Sequence, residues 1–199
     1  MNITTNKFQN KFLLNFASIL FCLLPPALIS GPFLSDLFVS LIAIIFLFIT
    51  FKFRLYFYYQ KNFFYLAMFL YLAMLLSSLL SDDISYSLKN SFFYFRFILF
   101  TLCIAFLLEN NKSLIKYFAY SLFITIFLLL VDSYVQYITD YNILQWERSS
   151  RLTSLFGDKA ILGTYISKMI ILSFALFYML EDINTPKMII ALIFLVLQK

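Results

Sequence analysis

The 199-residue sequence contains no histidine, only three glycines, and charged residues at only 13% of its positions. Soluble domains of ordinary composition are about 25% charged. Without imidazole the chain offers no histidine base and no histidine metal ligand. Phosphate-binding glycine motifs are missing as well. These shortages argue against a soluble enzyme, a nucleic-acid-binding domain and a disordered chain.

Apolar residues are abundant instead, at 63% of the sequence, and the mean hydropathy is +0.90. A soluble protein of this size could not bury so much apolar surface. The formal net charge of +5 fits basic cytoplasmic loops of a membrane protein, since no basic face is visible. Cys22 and Cys103 both lie inside apolar runs, which favours buried packing over a disulfide or a metal site.

Six apolar segments are long enough to cross a bilayer, which requires about 20 mainly apolar residues. They cover residues 12–30, 33–51, 63–80, 92–108, 114–138 and 160–180, and a partial seventh covers 188–199. None alternates polar and apolar residues as a barrel strand does. We therefore predict an all-α, polytopic transmembrane helix bundle in which residues 1–199 form a single membrane domain. Pro25 and Pro26 should bend the first span near its outer end.

The distribution of lysine and arginine predicts the orientation, because cytoplasmic loops are enriched in them. One side carries Lys7, Lys11, Lys52, Arg54, Lys61, Lys112, Lys116 and Lys187, and the other carries only Lys89, Arg148, Arg151 and Lys159. We therefore expect a cytoplasmic amino terminus. Loops 30–35, 81–91 and 139–159 would then face outward.

Three charged residues lie at least four positions inside the ends of predicted spans, where charges are costly and usually pair or serve a site. At 1.5 Å per residue, Arg96, Asp132 and Lys168 lie about 6, 9 and 12 Å below the outer face. Their shared depth favours a polar cavity that opens outward, with Asp132 as the charge partner of the cations. The alternative is structural: Arg96 and Lys168 reach the headgroups, and Asp132 neutralises one of them.

The outer loop 145–159 contains Arg148, Arg151 and several hydroxyl groups at the predicted membrane surface. Guanidinium groups bind phosphate oxygens bidentately, and hydroxyls add further donors. The loop therefore suits an anionic headgroup such as a lipid diphosphate. An ordinary solvated loop with affinity for anionic lipid is the alternative. Trp146 is interpreted as an interfacial anchor.

The adjacent carboxylates Asp82 and Asp83 resemble the acidic pairs of metal-dependent glycosyltransferases, but negative charge is also favoured where a helix starts. We predict helix capping for this pair and a similar role for Asp36 at the start of the second span. No metal site and no cofactor are expected. Ser77, Ser78 and Ser81 lack a histidine to activate them, which disfavours a serine nucleophile.

Three stretches resemble one known family. They are residues 24–36, residues 77–96 and, most specifically, residues 151–165, which read RLTSLFGDKAILGTY. Together they are similar to the amino-terminal half of the O-antigen ligase and O-antigen polymerase superfamily. The likeness covers nearly the whole chain, although most of it is hydrophobic pattern.

The resemblance implies a bacterial inner-membrane glycosyltransferase that works without a metal. Its donor would be a glycan linked to undecaprenyl diphosphate, and its acceptor lipid A–core or another glycan repeat on the periplasmic side. Arginines of the family hold the diphosphate, and Arg151 matches the arginine that opens the family motif. We add Arg148, Arg96 and Lys168 as candidate diphosphate ligands from their position alone.

The chain also departs from the family. It has no histidine and no large periplasmic loop, so the resemblance implies an amino-terminal fragment that lacks the catalytic half and is inactive alone. Whether the parent is a ligase or a polymerase stays open. The alternative function is a multispan transporter or flippase for a lipid-linked glycan, which would also need a basic cavity. A structural membrane subunit is a third interpretation.

Overall fold

The computed structural model describes residues 11–147, 151–157, 159 and 161–179, with the side chains of the last helix described to Leu176. Within these residues the chain is helical, and its one β-type contact is an isolated bridge between Tyr141 and Glu147. The all-α prediction is confirmed for this part. The chain divides into an amino-terminal unit up to Leu114 and a carboxy-terminal unit from Ile115.

Eight α-helices make up most of the described residues. The first six are α1 (Lys11–Cys22), α2 (Leu24–Ser30), α3 (Pro32–Phe53), α4 (Asn62–Leu79), α5 (Ile84–Phe93) and α6 (Phe95–Asn110). The carboxy-terminal unit is built on α7 (Leu114–Thr139) and α8 (Leu162–Met179). Two short 3-10 helices, Tyr56–Gln60 and Ser154–Phe156, lie in the connections.

Several of these helices are long and apolar enough to cross a membrane, as a multi-pass protein requires. Four described helical segments qualify, or five if α1 and α2 form one bent span. The apolar part of α8, Leu162–Leu176, is shorter than a full span. The count of six spans and the cytoplasmic amino terminus therefore stay predictions, and segment 188–199 lies outside the described residues.

The predicted bend in the first span is confirmed. Helices α1 and α2 meet at an angle of 52°, and the break falls at Leu23. Pro25 lies in the first turn of α2, where its missing N–H costs no helical hydrogen bond. The two prolines thus end one helix and start the next.

The prediction of a loop over residues 81–91 was wrong, whereas the start of the fourth span at residue 92 stays a prediction. Most of this loop is helix α5, which continues into α6 after a break at Tyr94, so that the apolar helical segment runs from Ile84 to Asn110. The polar residues of α5 lower its hydropathy without preventing a helix. As predicted, the acidic pair supplies a cap: the Asp83 carboxylate accepts a hydrogen bond from the Tyr86 N–H at 3.1 Å.

The core of the amino-terminal unit lies between α3 and α6. Phe46 of α3 and Phe106 of α6 are almost completely buried, with ring centroids 6.2 Å apart. Cys103 is completely buried beside them on α6, and Cys22 is half-buried; both thiols are free. The prediction that the cysteines serve packing is confirmed for Cys103.

In the carboxy-terminal unit, α7 packs against α8. Ala119, Leu122 and Ile126 of α7 form a buried cluster with Leu176 of α8, and Met169 packs against it. This cluster uses the first half of α7, up to Ile126. The second half of α7 contacts the polar loop that follows the helix. That half of the helix carries the residues of greatest functional interest.

Candidate functional site

Two polar side chains are completely buried near the end of α7. Asp132 and Gln136 both have an exposed fraction of 0%, within a helix that is otherwise strongly apolar. They are one helical turn apart, so both project from the same side of the helix. Burying such groups is costly unless each finds hydrogen-bond partners, and the following loop supplies these partners.

Asp132 binds the loop at two places. One carboxylate oxygen accepts the Ile143 N–H at 2.8 Å, and the other accepts the Ser154 hydroxyl at 2.6 Å. Both partners are neutral. Within the described residues Asp132 forms no ion pair, so its predicted role as charge partner of a cation stays a prediction. Its observed role is to hold the loop against the helix.

Gln136 binds the backbone of the same loop segment. Its side-chain oxygen accepts the N–H groups of Thr153 and Ser154 at 3.0 and 2.9 Å, and its amide donates to the Thr153 hydroxyl at 3.2 Å. Ser154 has a positive φ of 50°, which is uncommon for a residue other than glycine. These hydrogen bonds hold the 3-10 turn Ser154–Phe156 in a conformation that its sequence alone would disfavour.

Asn142 connects the two parts of the loop. Its amide donates to the Ser154 carbonyl at 2.9 Å, and its side-chain oxygen accepts the Trp146 N–H at 2.7 Å. The Trp146 ring lies beside Gly157, where a Cβ atom would be 3.6 Å from it. Gly157 also has a φ of +64°, which favours glycine.

We call Asp132, Gln136, Asn142, Thr153 and Ser154 the loop anchor. All five are at least 97% buried. The sequence analysis singled out only Asp132 of this group. The missed signal was the spacing of Asp132 and Gln136, four residues apart in an apolar helix, which places two costly groups on one face.

The loop anchor holds the segment that contains Arg151. Arg151 is exposed and lies two residues before Thr153, whose backbone is bonded to Gln136. Lys159 is exposed as well. Arg148 lies outside the described residues. The described part of the predicted phosphate-binding loop is therefore an ordered, hydrogen-bonded segment with a guanidinium group at its surface.

Lys168 occupies the second turn of α8 and is exposed. At 1.5 Å per residue it lies about 9 Å along the helix from Leu162. An exposed ammonium group on an apolar helix can reach polar headgroups through its flexible stem. Its predicted part in diphosphate binding stays a prediction.

Arg96 lies in the amino-terminal unit and binds α3. Its guanidinium forms a 2.9 Å ion pair with Asp36 and a longer contact of 3.4 Å with the Ser40 hydroxyl, while its buried Nε atom has no hydrogen-bond partner. The prediction that Asp36 caps the second span was wrong. Helix α3 begins earlier, at Pro32, which leaves the Asp36 carboxylate within the helix and facing Arg96.

An open cavity of about 620 Å³ adjoins this ion pair. Asp36 and Arg96 line it together with Asn90, Phe93, Tyr94 and Phe97. Asp36 compensates the charge of Arg96. The cavity is therefore less suited to a diphosphate than it would be if Arg96 were unpaired.

A second polar cluster joins the connection before α4 to the end of α6. The buried Tyr58 hydroxyl donates a hydrogen bond to Glu109, which also pairs with Lys61 at 2.6 Å. Burial, and then the hydrogen bond and negative charge of Glu109, raise the pKa of Tyr58. Tyr58 therefore stays a proton donor at neutral pH, and the cluster serves as a structural link.

The described residues contain no group of three or more acidic or cysteine side chains placed to hold a metal ion. No protein-family model matches the chain, and neither a curated protein nor a solved structure is significantly similar to it.

Proposed function

We propose that the chain is part of an integral-membrane glycosyltransferase of the O-antigen ligase or polymerase type. It would act in the bacterial inner membrane and transfer a glycan from an undecaprenyl-diphosphate carrier to lipid A–core or to another glycan repeat. The proposal rests on the resemblance of residues 151–165 to the family motif. The helical, membrane-spanning character of the described chain is compatible with it.

The observation that carries the proposal is the loop anchor. Its buried hydrogen bonds hold Thr153 and Ser154, and Arg151 is exposed just before them. The buried side chains of Asp132 and Gln136 distinguish this segment from a fully solvated loop, because each is hydrogen-bonded to it. A guanidinium carried on an anchored backbone suits a diphosphate site, because its fork of donors matches phosphate oxygens.

In this proposal Arg151 binds the donor diphosphate and stabilises the charge that the leaving group gains in the transition state. Arg148 and Lys168 assist as further cations. Arg96 belongs to the amino-terminal unit, where it is paired with Asp36, and its part in diphosphate binding stays a prediction. Asp132 acts on the loop, and no metal or cofactor is needed.

The test is a strain that lacks the gene for this chain. We expect loss of long glycan from the lipopolysaccharide, together with accumulation of undecaprenyl-diphosphate-linked glycan in the outer leaflet of the inner membrane. Accumulation in the cytoplasmic leaflet would instead show that the protein transports the lipid-linked glycan. Unchanged lipopolysaccharide and unchanged lipid-linked glycan would contradict both functions.

A further inference from the structure

We infer that Asp132 and Gln136 are positioning residues for the lipid-diphosphate site, which they serve through the backbone of residues 151–157. This inference rests on the proposed function and adds two residues to its site. Neither residue would touch the diphosphate. Each would act by fixing the conformation in which Arg151 presents its guanidinium.

The hydrogen bonds give the first reason. Gln136 accepts two consecutive backbone N–H groups, those of Thr153 and Ser154, with one oxygen atom. Asp132 accepts the Ser154 hydroxyl and the Ile143 N–H. A helix that needed only to be stable in the membrane would carry apolar residues at these two positions, since an apolar pair avoids the cost of desolvation.

The backbone of the loop gives the second reason. Ser154 adopts a positive φ of 50°, which the surrounding hydrogen bonds must maintain at a cost in free energy. Without Gln136, Ser154 could relax to negative φ and rotate the chain that leads back to Arg151. A loop that is already fixed in one conformation loses less conformational entropy when a ligand binds to it.

The single tryptophan of the chain makes this inference measurable. Trp146 bonds to Asn142 of the loop anchor and lies beside Gly157, so its fluorescence reports on this loop alone. We propose to titrate the 199-residue chain, in lipid nanodiscs, with undecaprenyl diphosphate and to follow Trp146 emission. Undecaprenyl monophosphate and inorganic diphosphate serve as comparison probes that separate the lipid-linked headgroup from free phosphate.

Gln136→Met keeps the length of the side chain and removes all of its hydrogen bonds. We expect this variant to bind undecaprenyl diphosphate about tenfold more weakly and to expose Trp146 more to acrylamide quenching. Ser133→Ala is the matched control, because among the described residues the Ser133 hydroxyl bonds only to the Leu129 carbonyl. In the variant that carbonyl can still accept the Ser154 hydroxyl, which lies 3.3 Å from it. We expect Ser133→Ala to bind like the wild type.

Non-additivity with Arg151 separates positioning from general destabilisation. If Gln136 acts through Arg151, the double variant Gln136→Met/Arg151→Ala should bind no more weakly than Arg151→Ala alone. Additive losses would overturn the inference. If Gln136→Met does not fold, a cycle of Ser154→Ala with Arg151→Ala tests the Asp132 half of the inference, because Ser154→Ala removes the hydroxyl contacts to Asp132 and to the Leu129 carbonyl and leaves the Gln136 bonds in place.

The same titration distinguishes failure of this inference from failure of the proposed function. If the wild-type chain binds none of the three probes, the diphosphate site is wrong. If the wild type binds and Arg151→Ala binds more weakly, while Gln136→Met binds like the wild type, the site stands and the positioning role is wrong.

Discussion

The Ser154 hydroxyl donates a 2.6 Å hydrogen bond to Asp132, which lies 22 positions earlier on α7. Both side chains are completely buried. This contact joins a charged residue of the apolar helix α7 to the loop stretch 151–165, on which the proposed function rests. Asp132 and the loop stretch 151–165 are thus joined directly by a buried hydrogen bond.

The first prediction concerns this contact. Ser154→Ala should lower the free energy of unfolding by about 1–3 kcal/mol, because it leaves one oxygen of a buried carboxylate without its donor. Thermal unfolding in detergent, followed by Trp146 fluorescence, measures the effect. Ser133→Ala is the control and should lower the free energy of unfolding much less than Ser154→Ala does. Equal stability of Ser154→Ala and the wild type would show that water or another donor replaces the hydroxyl.

The second prediction concerns Tyr58. Tyr58→Phe keeps its edge contacts with Phe46 and Phe106 and loses only the hydrogen bond to Glu109. We expect a loss of about 1 kcal/mol for Tyr58→Phe and about 3–5 kcal/mol for Tyr58→Ala, which leaves a cavity. Chemical denaturation of the two variants measures the difference. Losses of the same size would mean that the hydroxyl, and not the ring, provides the stability.

The third prediction concerns the ion pair between Arg96 and Asp36. Their side chains are 27% and 51% exposed, so solvent weakens the attraction. A double-mutant cycle with Asp36→Asn and Arg96→Gln should give a coupling of about 0.2–1 kcal/mol. A coupling near zero would show that the pair contributes nothing to stability. Raised affinity of Asp36→Asn for undecaprenyl diphosphate would indicate that Asp36 competes with the ligand.

The fourth prediction concerns orientation in the membrane. In a chain with Cys22 and Cys103 replaced by alanine, a cysteine at Asp82 should react with an impermeant maleimide from the periplasm. A cysteine at Ser113 should react only after the cytoplasmic side is opened. Asp82 and Ser113 are both exposed and lie near opposite ends of the Ile84–Asn110 segment. The reverse labelling pattern would invert the predicted topology.

Hydrophobic patterning predicted most of the helices because an apolar run of span length has few other structures available to it. The bend near Pro25 was predictable for the same kind of local reason, since proline removes a helical hydrogen bond. Helix α5 was missed because it is polar. Its cap at Asp83 was recognised, but hydropathy alone placed the region in a loop.

The site was harder to predict, because its hydrogen bonds join residues that are distant in sequence. The loop that contains Arg148 and Arg151 was identified from the chemistry of guanidinium and phosphate, and Arg151 in particular from the resemblance to the family motif. Asp132 was identified from the cost of a charge in a membrane. The pairing of Asp132 with Ser154, and of Arg96 with Asp36, depends on tertiary packing that no local pattern reveals. The i,i+4 spacing of Asp132 and Gln136 was the one local signal that could have led to the loop anchor.

The central claim is that Arg151 binds the donor diphosphate during glycan transfer, and substitution of Arg151 tests it most directly. Variants of the full-length gene that includes this chain would be expressed at matched levels in a strain that lacks its own copy, and glycan transfer to lipopolysaccharide would be measured. We predict that Arg151→Lys keeps the charge but loses most activity, because bidentate geometry is lost. Arg148→Ala should reduce glycan transfer less than Arg151→Lys does. Lys112→Ala should leave glycan transfer unchanged, since Lys112 is an exposed residue between α6 and α7. Wild-type transfer by Arg151→Ala would contradict the account.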